Sequence, residues 1–172
     1  YRLYSKDDFL SRPEFTTSEI TRTPASSVVL YLSGIGRSIK DFPLLESPDS
    51  SLVHAATKHL SRIGAIDSNH SLTEMGKKML KMPVEPYQSR QILASIDHNC
   101  VGDVVVITAI ISVGENPFVY PALNKDLQYE AELAKSRFVI PGSDHLTLLN
   151  LYNIWIENGG DNLSEEWYIS NW

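Results

Sequence analysis

From Ser50 to Ile63 the chain reads SSLVHAATKHLSRI, and its apolar positions return at helical spacing. Leu52, Val53, Ala56, Leu60 and Ile63 share one face, while His54, Thr57, Lys58, Ser61 and Arg62 fall on the other. This pattern predicts an amphipathic helix with a basic outer side, capped by Asp49 or Ser50 and ended by Gly64. Before it, Thr23-Pro24 predicts another helix start, with Thr as N-cap and Pro at the first helical position. That helix, ASSVVLYLS, runs on to Gly34 or Gly36. After it, AIDSNHSLT places two short apolar pieces around a Ser-Asn-His turn, the pattern of a small hairpin. Thr73 then caps EMGKKMLKM, and Pro83 closes it. Helix, helix, hairpin, helix is the order of a winged helix, a helix-turn-helix variant with a β wing.

The flanking segments follow other patterns. Tyr1–Tyr4 (YRLY) alternates like a strand, and a polar linker with Pro13 follows. Beyond Pro83 the chain reads as helical: Pro86 opens YQSRQILASIDHN, and Asp103 caps VVVITAIISV. The latter is expected to be a buried helix stopped by Gly114. KDLQYEAELAKSRF is an exposed helix. The last helix begins with GSDHLTLLNLYNIW and ends at Gly159-Gly160. The fold class is therefore mainly α, with a winged helix over 16–83 and a helical bundle over 84–172.

Composition fits a globular chain: 42% hydrophobic and 21% charged residues over 172 positions. The longest apolar run, Val104–Val113, is too short to span a bilayer, so no membrane partner is expected. A lone cysteine, Cys100, excludes an internal disulfide framework and a cysteine-rich zinc site. The net charge of −6 argues against a stand-alone nucleic-acid binder, yet it is uneven. Ser50–Met82 has five bases against two acids, whereas Pro83 onward has four bases against twelve acids.

Catalytic signatures are missing. GIGRSIK, Gly34–Lys40, lacks the Gly-Lys-Ser/Thr ending of a phosphate-binding loop and follows a helix rather than a strand. His54 and His59 lie five apart and point to different faces. Asp144-His145 looks most like an active-site pair, but adjacent helical residues do not face each other. Asp144 is read as a helix cap. His145 shares a face with Leu148, Leu149, Tyr152 and Ile156 and is expected to point inward. The opposite face, with Thr147, Asn150, Asn153 and Glu157, is then the solvent side.

Five pieces in one order carry a family resemblance: YRLYS, EITRTPASSVVLYLSGIG, LSRIGAIDSNHSLTEMGKKMLKMPVEPYQSRQIL, GSDHLTLLNLYNIW and EEWYISNW. Together they resemble the C-terminal accessory region of DEAH-box ATP-dependent RNA helicases. Ser143 stands as an extra residue within the family's Gly-Asp-His-Leu-Thr pattern. The resemblance implies a segment of a larger protein. Residues 1–15 are the end of the second RecA-like domain and its linker, 16–83 a winged helix, and 84–172 a ratchet-like helical domain.

It further implies a wall of a single-stranded RNA channel, coupled to a RecA-like motor that binds ATP and Mg²⁺ upstream. No cofactor site is expected within this chain. The implied partners are single-stranded RNA, the RecA-like domains of the same chain and, as in several members, a G-patch protein. Pre-mRNA splicing or RNP remodelling, in the nucleus or the cytoplasm with the nucleus favoured, is the implied setting. Ser89, Arg90, Thr147 and Asn150 are the candidate RNA contacts, and Lys58 and Arg62 mark a basic surface. The alternatives are a winged-helix DNA-binding regulator and a protein-interaction scaffold. A salt-dependent affinity for duplex DNA is the sign of the first.

Overall fold

The computed structural model describes residues 3–13, 15–16, 18–21, 24–121, 124–160 and 167–170. Among these are eight α-helices and no strand: α1 Lys6–Ser11, α2 Ala25–Gly34, α3 Ser50–Arg62, α4 Glu74–Leu80, α5 Pro86–Ser95, α6 Val101–Val113, α7 Lys125–Ser136 and α8 Asp144–Glu157. The chain divides into two compact units, Tyr1–Arg90 and Gln91–Trp172.

The first unit begins differently from the expected strand. Tyr1 and Arg2 lie outside the described residues, and Leu3 and Tyr4 form an exposed bend. The expected polar linker contains α1, because the Ser5 hydroxyl accepts the Asp8 N–H at 3.1 Å. Asp7 and Asp8 also place negative charge at the positive end of its dipole. The start of α2 is shifted too. Pro24 occupies the cap position without a side-chain hydrogen bond, and the helix begins at Ala25; Thr23 lies outside the described residues.

The core of this unit comes from helix faces that the sequence periodicity marks. α2 packs on α3 and α4. Val29, Leu30 and Leu32 of α2 are buried with Val53, Ala56 and Leu60 of α3 and Met79 of α4. Leu60 is 0% exposed; its truncation to Ala is worth about 2–5 kcal/mol. Gly64 ends α3 at φ +74°, and the Ala65 N–H reaches back to the Leu60 carbonyl at 2.9 Å.

The wing is smaller than a hairpin of strands. A single antiparallel bridge joins Ile66 and Leu72. The Asp67 carboxylate accepts the N–H groups of Asn69 and Ser71 at 2.8 and 2.9 Å, which fixes the turn. Thr73 then ties the wing to α4. Its hydroxyl accepts the Gly76 N–H at 2.9 Å and lies 2.6 Å from the Gly64 carbonyl. A Cβ at Gly76 would stand 2.1 Å from the Ala65 carbonyl oxygen, so only glycine allows this approach.

In the second unit α6 packs on α8. Phe138, 0% exposed, is its largest fully buried side chain, with the rings of Phe118 and Trp167 at 6.0 and 5.5 Å. Residues 117–119 pair with 168–170: Val119 donates to the Tyr168 carbonyl and Ser170 to the Pro117 carbonyl, each at 2.8 Å. Two expectations for α6 are corrected. Its N-cap is Cys100, without a side-chain bond, and Asp103 lies inside the first turn. The helix is also not buried all round. Thr108 and Ile110 are buried, but Val101, Val105 and Val113 are exposed. A nearly uniform apolar sequence shows no period from which to tell the packed side.

Candidate nucleic-acid interface

The outer face of α3 is open as its sequence pattern implies. His54, Lys58 and Arg62 recur every fourth residue and are exposed, while Val53, Ala56 and Leu60 hold the helix to the core. α3 contains no acidic residue. Asp49 caps it, accepting the Ser51 N–H at 2.7 Å. Hydrogen bonds from Ser51, hydroxyl first and then amide, hold the Asp49 carboxyl below its ordinary pKa.

Two other segments of the first unit face α3. The α2–α3 connection brings Arg37 and Lys40 to the same side. Gly36, at φ +69°, ends α2 and turns the chain, and the Arg37 N–H closes the turn on the Leu32 carbonyl at 2.9 Å. The wing turn brings residues 67–72, with His70 at φ +60° at its tip. Between them lies a groove of about 1350 Å³. It is lined by Arg37, Lys40, Lys58 and Arg62 against one carboxylate, Asp67. The helical pattern of α3 marks Lys58 and Arg62 but is silent on Arg37 and Lys40. GIGRSIK stands out in sequence only for its glycines, and its two cations reach the groove only through the fold.

Among the described residues these cations are unengaged by acids. Among the described residues the ion pairs are Arg12–Asp8 and Lys77–Glu74, both away from the groove. Asp67 is held in its own turn by two backbone N–H groups. A concave surface with an excess of one sign of charge focuses the field and attracts polyanions.

The other four candidate contacts sit differently. Ser89, 0% exposed, is buried, with its hydroxyl 3.5 Å from the carbonyls of Met79 and Val84. Arg90, one residue on in α5, is half-buried and has no ion pair among the described residues. Thr147 and Asn150 do not form a solvated face, which corrects the expectation for this half of the α8 stripe; Asn153 and Glu157 are exposed as expected. Thr147 is 7% exposed; its hydroxyl accepts the Ile140 N–H at 2.9 Å and lies 3.0 Å from the Ser143 carbonyl. Asn150 donates to the Phe138 carbonyl at 3.0 Å. Conversely, His145 is exposed rather than turned inward. The cap is also reassigned. Ser143, the extra residue, accepts the Leu146 N–H at 3.2 Å, and Asp144 is the first helical residue. One position of displacement leaves Asp144 favourable at the dipole's positive end but without the capping bond.

Among the described residues no three His, Cys, Asp or Glu side chains come together as a metal site. No helix among them is long and apolar enough to cross a membrane.

The fold and groove define a winged helix followed by a helical bundle, with a basic concave face on the first. Comparison with known proteins makes this class particular. The winged-helix model of the helicase-associated domain (HA2) matches residues 56–84, and the ratchet-like HA2 model matches residues 85–148. The chain belongs to this helicase-associated family. It is 37% identical over 158 residues to the ATP-dependent RNA helicase HrpA of Escherichia coli, covering 88% of this chain and 12% of that protein. To the DExH-box ATP-dependent RNA helicase DExH3 of Arabidopsis thaliana it is 35% identical over 159 residues, covering 90% of this chain and 13% of the relative. A Haemophilus influenzae HrpA homolog is 33% identical, again over 88% of this chain and 12% of the relative. The chain thus spans about an eighth of the length of these relatives.

Proposed function

We propose that this chain acts as the accessory region of an ATP-dependent RNA helicase of the DEAH type, lining a single-stranded RNA channel and coupling RNA to the RecA-like motor. The observation that carries the reading is the run of both HA2 modules in one chain, with 88–90% of it aligned to relatives named as ATP-dependent RNA helicases. ATP and Mg²⁺ belong to the motor in this reading, and this chain supplies positioning and grip. Ribonucleoprotein remodelling is the task in this reading. Pre-mRNA splicing in a nucleus is a narrower form of it, and two of the relatives above come from bacteria, which have no nucleus. A G-patch partner on the winged helix belongs to the same proposal.

Of the four sequence-marked contacts, Arg90 keeps an available charge, so it is the residue that grips a phosphate. A charge-assisted hydrogen bond is worth about 1.5 kcal/mol, roughly tenfold in affinity. In the intact helicase, Arg90→Ala is expected to raise the RNA concentration for half-maximal ATPase stimulation about tenfold, while the RNA-independent rate changes little. Equal loss of both rates would contradict the proposal.

A further inference from the structure

The groove on the winged helix has a chemistry of its own, distinct from that expected of a single-strand channel. Its cations come from two separate segments of the sequence, yet among the described residues none is neutralised by an acid side chain. Asp41, Glu46 and the α3 cap Asp49, the acids of the α2–α3 connection, are absent from its lining. Ser47, Ser61, Ser68 and Ser71 add hydroxyls to the lining that no other group among the described residues engages. Cations with hydroxyls are the donor set that contacts phosphate and sugar oxygens.

One absence among the lining residues narrows the occupant in two ways. No Phe, Tyr or Trp lines the groove. Single strands are held by bases stacked on aromatic side chains, so this surface has no platform for them. Double-stranded RNA, by contrast, is recognised through its shape, its phosphates and its 2′-hydroxyls. The same absence removes the aromatic anchor that usually centres a peptide-docking site. The volume of about 1350 Å³ also exceeds the usual range of small-molecule pockets.

The geometry points to a second RNA site: the groove between α3, the α2–α3 connection and the wing turn takes the phosphate backbone of duplex RNA, without reading its sequence. This inference rests on the helicase reading for the class of nucleic acid, and it deepens that reading. The winged helix holds a paired segment, and the single strand is gripped elsewhere.

The test measures binding of the full 172-residue chain to a blunt RNA duplex and to a single strand with the same number of phosphates, by fluorescence anisotropy across a salt series. The wild-type chain is expected to prefer the duplex. Lys58→Gln with Arg62→Gln is expected to weaken duplex binding roughly tenfold and to lower the salt slope by about two, one for each phosphate that is no longer neutralised. Arg37→Gln with Lys40→Gln, in a separate segment of the groove, is expected to do the same. Both pairs lie on the surface of the groove, and circular dichroism melts establish that the variants fold. Unchanged duplex affinity in both folded variants would overturn the inference. So would equal losses on duplex and single strand, tighter binding of duplex DNA than of duplex RNA, or binding of an acidic peptide in place of RNA. Single-strand affinity that survives the groove substitutions and falls with Arg90→Ala keeps the channel reading, whatever the duplex result.

Discussion

Helices α3 and α8 both carry a polar stripe in sequence, and the two stripes have opposite fates. On α3 the stripe is open: Lys58 and Arg62 face solvent, and the apolar side holds the core. On α8 the stripe is turned in at Thr147 and Asn150, while Asn153 and Glu157 stay exposed. Thr147 and Asn150 contact the backbone of Phe138, Ile140 and Ser143, while His145, Leu146 and Ile156 are exposed. The difference lies in the kind of polarity. A Lys or Arg head is costly to bury without a partner, so it fixes the outer face. A Thr hydroxyl or an Asn amide can instead serve backbone groups left unpaired by a nearby loop, and buried polar groups of that kind are normally satisfied.

This contrast can be broken by substitution. The largest effect is expected at Thr147. Thr147→Val keeps the shape but leaves the Ile140 N–H without its acceptor. The cost is about 1–3 kcal/mol of stability, read by urea denaturation, with RNA affinity of the folded protein unchanged. A loss of RNA affinity with unaltered stability would restore the view of Thr147 as a contact.

A smaller effect is expected at the cap of α3. Asp49 has a depressed pKa in the folded chain, so its stabilising contribution is fully present above the ordinary carboxylate pKa and fades as pH falls through the lower folded value. Asn caps helices about as well but does not titrate. Asp49→Asn is therefore expected to flatten the acid side of the stability-versus-pH curve. A curve that keeps its full acid slope would mean that other groups set it.

Legibility in the sequence follows the same division. The helical periods and the stops at Gly36, Gly64 and Gly114 place most of the helices, because a glycine at positive φ is a local requirement. The Thr73 cap and the short wing are readable for a similar reason: they are settled within a few residues. α6 reads as buried when only part of it is, because its apolar residues surround the helix. The cap of α8 lies one residue from its expected place, since Ser143 and Asp144 are both good caps and only the backbone decides between them. Within the groove, Lys58 and Arg62 share a helix and are visible together. Arg37 and Lys40 join them only through the fold, about twenty residues away in sequence, and no local pattern announces that meeting.

The central claim is that RNA meets this chain on the open basic face of the winged helix and at Arg90, not on the stripe of α8. Amide and side-chain NMR shifts of the chain, followed while a short hairpin RNA with a single-stranded tail is added, test it most directly. Shifts are expected at Arg37, Lys40, Lys58, Arg62 and Arg90, with Thr147 and Asn150 left in place. Shifts concentrated at Thr147 and Asn150, with the groove residues unmoved, would contradict it.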